Sequence, residues 1–440
     1  MNRWITTCIF FHVIAAFFSE GMHHWDEHFQ ILEFINLKKG GITAGELPWE
    51  YSAKMRPWIM PGFYYLLDFA SPFTMATIYR FISSFLGIGA LYATYKLFPR
   101  KYLLIALCSL WFFPYVHARI SAEAVGASIF MISLIARPAL LRGILMGIAF
   151  YCRFHIGILI LFYHLYQLIF KKEKISSLLL SSLGVFVAIG LNIVIDHWGY
   201  GEWVFTPWEY VKQNLFENKV SSFGVNPWYD YFKMIFNKAF APIGVLIILS
   251  HLYLWVKHPK NILTWLTLPF FLIHCFIGHK ELRFLFPLIH FVPVIIVLFM
   301  EELNLFRLKK TVRFIFILNL ILLPIYSFTS VHPVISFFKK TDLKSIDTLY
   351  IYGDTDPYHL AQLPVRYYSN EVPKIQKLSD DSTIPLNSYI FSNRGKFYLK
   401  IKENPACKLL YSSYPEWVLN INIGNWQKRS KAWTLFHCKN

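Results

Sequence analysis

A polytopic α-helical membrane protein, with about eleven crossings and a small C-terminal domain of α/β or β-rich character outside the bilayer, is the fold class this sequence predicts. Three observations lead there. Of 440 residues 55% are hydrophobic and only 16% charged, and the mean hydropathy is +0.41, too apolar for an ordinary soluble chain of this length. Apolar runs recur from the amino terminus to about residue 331, many of them near the length a bilayer demands. Beyond Ser330 they give way to short alternating segments broken by turn residues. A net charge of +17 would suit a nucleic-acid partner, but Lys and Arg fall between apolar runs rather than along one basic face, so a bilayer and not nucleic acid is the expected partner.

The run 5–18 is short, yet no small-residue cleavage site follows it, so it reads as a helix and not a signal peptide. With residue 1 cytoplasmic, it delivers His24-Trp25-Asp26-Glu27-His28 to the far side. Phe29, Ile31, Leu32, Phe34 and Ile35 then predict an amphipathic helix lying on the membrane surface and ending at Gly40-Gly41. The segment 57–67 reads as interfacial or re-entrant, because counting it as a crossing inverts every later loop. Residues 79–98 return to the cytoplasm, and runs near 102–116, 124–136, 139–151, 156–170, 175–195, 239–256, 261–277, 284–300 and 314–331 complete the set. The inner turns then carry Arg137 and Arg142, Lys171, Lys172 and Lys174, Lys257 and Lys260, and Arg307, Lys309, Lys310 and Arg313, as positive-inside topology requires. Two modules are predicted: a transmembrane one, 1–331, and an outer one, 332–440, with strands at 348–352, 388–391, 397–401 and 417–423. Cys407 and Cys438 lie in that outer tail, where an oxidising compartment permits a disulfide.

Some basic residues defy this topology. Lys54, Arg56, Arg119, Arg153, His155, His279, Lys280 and Arg283 fall at the opposite face, at helix ends or short turns. Any one of them is explained as well by snorkelling to headgroups as by function. The turn His279-Lys280-Glu281-Leu282-Arg283-Phe284 is different, because three basic side chains in five residues are costly without an anion to satisfy them. A lipid phosphate is therefore expected at His279, Lys280 and Arg283, with Arg56, Arg119 and Arg153 as further candidates. Asp26 and Glu27 offer a carboxylate base on the same side; the bland alternative is that Asp26 caps the following helix and Glu27 complements its dipole. His23, His24 and His28 around them are more polar chemistry than a cap requires. The aromatic-rich segment 197–238 reads mainly as an interfacial belt, with a few rings placed to stack on sugars. Gly353-Asp354-Thr355-Asp356 reads as a turn. No Walker or dinucleotide fingerprint and no zinc-like His and Cys spacing occurs, so neither a metal nor a nucleotide cofactor is expected.

The order of these motifs carries a likeness. Asp26-Glu27 after the first helix, Asp196 before Gly201-Glu202-Trp203, Asn226-Pro227-Trp228-Tyr229, and His279 to Phe284 followed by Pro287 together resemble glycosyltransferase family 22 across about residues 20–300. Within it the likeness leans to the branch acting third in glycosylphosphatidylinositol (GPI) assembly. Trp25 stands where the family has proline in its His-Pro-Asp-Glu pattern. The resemblance implies a GT-C-like fold and transfer of mannose from a polyprenyl (dolichyl) phosphate to a mannose-containing glycolipid, with inversion and an α-1,2 linkage. It places the active site on the lumenal or periplasmic side of the endoplasmic reticulum membrane or a bacterial inner membrane. Asp26 would take the proton of the acceptor hydroxyl, with Glu27 as hydrogen-bonding neighbour or alternative base, and His279, Lys280 and Arg283 would hold the departing phosphate. The acidic pair and the basic turn are expected to share one lipid-accessible cavity. An N-glycan-precursor or bacterial envelope glycolipid mannosyltransferase of the same family is the alternative. A polytopic transporter should set its ionisable residues near mid-membrane and show a repeat across its halves, and neither is seen.

Overall fold

The computed structural model describes residues 2–341, 343, 346–369, 371–380 and 382–439; residues 1 and 440, the outer ends of the two expected modules, lie outside this description. The chain divides into two units. One comprises Met1–Ser19, Trp49–Asp68 and Thr77–Thr329; the other comprises Glu20–Pro48, Phe69–Ala76 and Ser330–Asn440. The division at 331/332 expected from composition is thus drawn differently, and Asp26 and Glu27 belong with the strands rather than with the transmembrane helices.

Among the described residues, four helices are long and apolar enough to cross a membrane: Pro72–Leu97, Ile175–Tyr200, Leu282–Glu302 and Lys309–Phe328. Ala241–Lys257 and Ile262–Phe276 meet at 115° and add a fifth if they form one broken span. Asn2–Phe18, Ala122–Ser133, Ala139–Cys152 and Ile156–Ile169 are shorter apolar helices of 17, 12, 14 and 14 residues. The run at 102–116 is not one helix. It forms Leu103–Ser109 and Phe112–His117, parted at Leu110, whose ψ of 115° is extended; Pro114 has no N–H to offer the Leu110 carbonyl and its ring would clash there. The segment at 57–67 forms Ile59–Leu66, eight residues and about 12 Å long, too short to cross.

Glycine sets the tightest contact in the helical unit. Gly143 and Gly147, four apart on Ala139–Cys152, lie against Ser181, Gly184, Val185 and Ala188 of Ile175–Tyr200, and a Cβ on either glycine would overlap that helix's backbone or Ala188. Small residues at this spacing let two helices approach closely where no hydrophobic effect drives them together. Another brace is polar. His12, His117 and His290 are buried and bonded in series, His12 Nε2 to His117 Nδ1 at 2.9 Å and His117 Nε2 to His290 Nε2 at 3.1 Å. Because the Cys8 carbonyl 2.7 Å from His12 Nδ1 only accepts, neutral rings must donate in one direction, from His290 through His117 to His12. This series ties Asn2–Phe18 and Phe112–His117 to Leu282–Phe291, a ten-residue 3-10 segment with Pro287 inside it. Runs of that length are uncommon and often mark functional positions.

The second unit is built on strands β1 (Thr348–Tyr352), β2 (His359–Leu360), β3 (Leu363–Pro364), β4 (Lys374–Lys377), β5 (Ser388–Ser392), β6 (Cys407–Ser412) and β7 (Thr434–Cys438). Five form one sheet in the order β4-β1-β5-β7-β6, with β1 parallel to β4 and β5, and β7 antiparallel to β5 and β6. Cys407 and Cys438 face each other across β6 and β7 and are disulfide-bonded. Two expected strands are corrected. Residues 397–401 lie in the helix Gly395–Lys402, and 417–423 begin in the helix Glu416–Asn420. The buried Phe397, Tyr398 and Ile401 stand at i, i+1 and i+4, which is one face of a helix.

The expected surface helix after Asp26 is also corrected. A π turn, His28–Leu32, leads into Glu33–Lys38, and Glu33 and Asn36 are buried together with Phe29, Ile31, Leu32, Phe34 and Ile35. Only Gln30, Leu37 and the terminal Lys38 and Lys39 keep partial or full access to water. The reason is Glu33, whose Oε1 accepts from the backbone N–H groups of Arg366 at 2.7 Å and Tyr367 at 2.9 Å.

Candidate active site

The basic turn is shaped by residues distant in sequence. Ser121 caps Ala122–Ser133, its Oγ accepting from Ala124 N at 3.2 Å, and so sets Glu123 in the first turn, where the helix dipole favours a carboxylate. Ala139–Cys152 ends where Arg153 turns extended at φ −150°. Leu282–Phe291 begins after Glu281, also extended. These three termini meet on one oxygen: Glu123 Oε1 lies 3.2 Å from Arg153 Nη2 and 3.0 Å from Arg283 Nη1. Arg283 turns its other edge to Glu281, with Nε 2.6 Å from Oε2 and Nη2 3.3 Å from Oε1. His279 Nε2 lies 3.0 Å from the same Glu281 Oε1. Both guanidinium groups also rest on the Phe284 ring, at 5.5 and 5.2 Å.

Lys280 is buried and points its ammonium at main-chain carbonyls, those of Ile277 at 2.7 Å, Asn226 at 3.0 Å and Gly278 at 3.5 Å. Three donors meet three acceptors. Asn226 completes the clamp, since its N–H donates to the Gly278 carbonyl at 2.9 Å and its Oδ1 accepts from Lys280 N at 3.3 Å. Burial makes Lys280 bind its proton less tightly than an ordinary lysine. In the turn between Ala139–Cys152 and Ile156–Ile169, His155 is bonded to the Tyr210 hydroxyl and lies 3.4 Å from His274 Nε2. Burial first, then the charge of Arg153, holds it well below the usual imidazole range, so it is neutral.

Arg56 pairs with Glu50 at 3.5 Å and lies over the Tyr210 ring, which joins it to His155. Arg119 is engaged elsewhere. Its guanidinium donates to the Ser19 carbonyl, just past the first helix, and to the Tyr115 carbonyl at 3.2 Å. Asp196, part of the motif series, accepts from Trp58 N at 2.7 Å and Thr206 Oγ1 at 2.7 Å and so holds the chain on either side of Tyr200.

In the strand unit, Asp26 and Glu27 have unlike surroundings. Glu27 is buried, and its Oε1 accepts from the backbone N–H groups of His23 at 2.9 Å and His24 at 3.2 Å. It shapes the loop. The side chain of Asp26 keeps 21% of its surface, with Oδ1 3.2 Å from His24 Nδ1. Trp25 stacks edge-on against His332, which burial lowers to about 4 and so keeps neutral.

Glu123 and Glu50 complete this architecture from outside the sequence motifs, and Asn226 and Glu281 from within them. Glu123 carried a signal, since an ionisable residue inside an apolar run is functional by default. Among the described residues no group of three or more His, Cys, Asp or Glu is arranged to hold a metal ion.

A family model described as the Alg9-like mannosyltransferase family matches residues 3–352. The chain is 28% identical over 288 residues to GPI mannosyltransferase 3 of Drosophila melanogaster, covering 60% of this chain and 50% of that protein. It is 26% identical over 330 residues to human GPI alpha-1,2-mannosyltransferase 3, covering 68% and 57%. A probable Dol-P-Man:Man(7)GlcNAc(2)-PP-Dol alpha-1,6-mannosyltransferase of Schizosaccharomyces pombe is 30% identical over 134 residues, covering 30% and 24%. The chain therefore spans little more than half the length of the two GPI relatives. In fold it is similar to ArnT from Cupriavidus metallidurans bound to undecaprenyl phosphate, with a TM-score of 0.51 over 99% of this chain and 97% of that one at 9% identity.

Proposed function

Because this chain belongs to the Alg9-like mannosyltransferase family, we propose that it transfers mannose from a polyprenyl (dolichyl) phosphate to a mannose-containing glycolipid, inverting the anomeric centre and forming an α-1,2 bond, as in GPI-anchor precursor assembly. The observation that carries this reading is the cluster at the basic turn, where His279 and Arg283 of the turn and Arg153 from a distant helix end converge on Glu281 and Glu123. The acceptor hydroxyl oxygen attacks the anomeric carbon as the bond to the phosphate oxygen breaks. Asp26, more open than Glu27, takes the hydroxyl proton. The phosphate departs as an anion, so it needs cations more than it needs an acid. Arg283, Arg153 and His279 serve it directly, Arg56 stands behind them, and Lys280 holds the turn. Arg119 braces the first helix. Neither a metal nor a nucleotide takes part.

The shorter apolar helices count with the long ones towards about eleven crossings. The Cys407–Cys438 disulfide supports an oxidising, lumenal or periplasmic side for the strand unit, in the endoplasmic reticulum or at a bacterial inner membrane. The similarity to the Schizosaccharomyces pombe protein favours an N-glycan-precursor acceptor as the second reading. Membranes carrying the protein should convert radiolabelled dolichyl phosphate mannose, and not GDP-mannose, into a labelled glycolipid whose mannose an α-1,2-mannosidase releases. Transfer from GDP-mannose where no dolichyl phosphate mannose can form overturns the donor assignment.

A further inference from the structure

Glu281 is the most open member of the cluster, with His279 next at 18%. The Glu281 side chain keeps 25% of its surface, whereas Arg283 keeps 6%, Arg153 7% and Glu123 2%. Glu123 satisfies one edge of Arg283 from inside. Glu281 satisfies the opposite edge, and its two oxygens receive Arg283 Nε, Arg283 Nη2 and His279 Nε2. Two guanidinium donors in a fork and an imidazole N–H are the groups that recognise a phosphate. Glu281 thus sits where a phosphate's oxygens would be bound, and it does so from an extended main chain just ahead of Leu282–Phe291, with a half-open side chain that has room to swing away.

The charges make the exchange plausible on Coulomb grounds. With Glu281 in place, Arg153 and Arg283 are balanced by Glu123 and Glu281. When Glu281 leaves, the cluster carries one net positive charge, which a phosphodiester restores to neutrality. A phosphate monoester brings a second negative charge. The cluster leaves that second charge unbalanced, which favours release of the product and the return of Glu281.

We propose that Glu281 is a built-in competitor for the donor's phosphate: it occupies the anion seat of Arg283 and His279, gives way when the lipid-phosphate sugar enters, and returns to expel the polyprenyl phosphate left after transfer. Glu281 here is a positioning residue that acts through Arg283 and His279. This rests on the lipid-phosphate donor proposed above, and the test separates the two claims. Binding of dolichyl phosphate to the full chain in nanodiscs is measured for wild type, Glu281→Gln and Arg283→Ala, together with inhibition of transfer by the same lipid. Removal of the competing charge should tighten dolichyl phosphate roughly threefold to tenfold in both measurements, given a half-screened charge-assisted fork, while Arg283→Ala loosens it. A merely structural role for Glu281 predicts the opposite sign, since a disordered turn binds more weakly. Unchanged or weaker binding by Glu281→Gln, with Arg283→Ala still impaired, overturns the competitor and leaves the donor reading intact. Absence of binding to wild type overturns both.

Discussion

Glu123 in the helical unit and Glu33 in the strand unit are both shut away from solvent, at 1% and 0% exposure, yet the groups that satisfy them differ in kind. Glu123 stands among guanidinium groups, at 3.0 Å from Arg283 and 3.2 Å from Arg153. Glu33 is held chiefly by main-chain donors, the N–H groups of Arg366 and Tyr367, with Asn36 Nδ2 at 3.1 Å and His28 Nε2 at 2.8 Å. Main-chain donors cannot leave without unfolding the loop that carries them, so the strand unit uses its buried carboxylates, Glu27 included, to fix a shape. Guanidinium groups on long stems can rebalance when another anion arrives, so the helical unit uses its carboxylates to hold cations ready. Shape is fixed around Asp26; charge is exchangeable around Arg283.

This contrast breaks most visibly at Glu123. Glu123→Ala leaves two buried arginines without their shared carboxylate and should cost about 3–5 kcal/mol, read as a lowered melting midpoint of the purified protein; an unchanged midpoint would show that the cluster is not what holds these termini together. Glu33→Ala strands the two main-chain donors and should cost about 2–4 kcal/mol. Its signature is local, a rise in hydrogen exchange at Arg366 and Tyr367, and uniform exchange across the chain would count against a loop-shaping role. Lys280→Met keeps the side-chain length but removes the donor from the Ile277 and Asn226 carbonyls, about 1–3 kcal/mol. It should weaken donor binding less than Arg283→Ala does, and the reverse order would make Lys280 the phosphate ligand.

The smallest effect is a slope with pH. His332 titrates near 4 in the folded chain against 6.5 ordinarily, because burial disfavours its charged form. Between those values the unfolded chain binds a proton that the folded one refuses. Stability of the strand unit therefore falls as pH drops from 6.5 towards 4 and levels off below. His332→Gln should flatten that part of a melting-against-pH curve, and an unaltered slope assigns it to other groups.

Hydropathy was sufficient to read the long helices, because a bilayer imposes length and apolarity on a single segment. The strands expected at 348–352 and 388–391 were legible as β-rich runs between turn signals, and the cysteine pair by its place in an outer tail. Residues 397–401 were misread because five residues of mixed apolar pattern satisfy both the strand and the helix period. The basic turn was legible as a local density of charge, but its balance was not: Glu123 is 160 residues from Arg283, and no local pattern states that distance. The same holds for Glu33 and Arg366, whose pairing moves the Asp26 loop into the strand unit. Arg119 could not be told from a ligand, since a carbonyl brace and a phosphate contact ask for the same side chain.

The assignment of chemistry to Asp26 and of phosphate binding to Arg283 is tested most directly by one paired measurement on Asp26→Asn, its rate of mannose transfer from dolichyl phosphate mannose beside its affinity for dolichyl phosphate. Transfer should fall about a hundredfold to ten-thousandfold, the usual worth of a general base, while the lipid binds as it does to wild type. Transfer at the wild-type rate by Asp26→Asn would contradict the account.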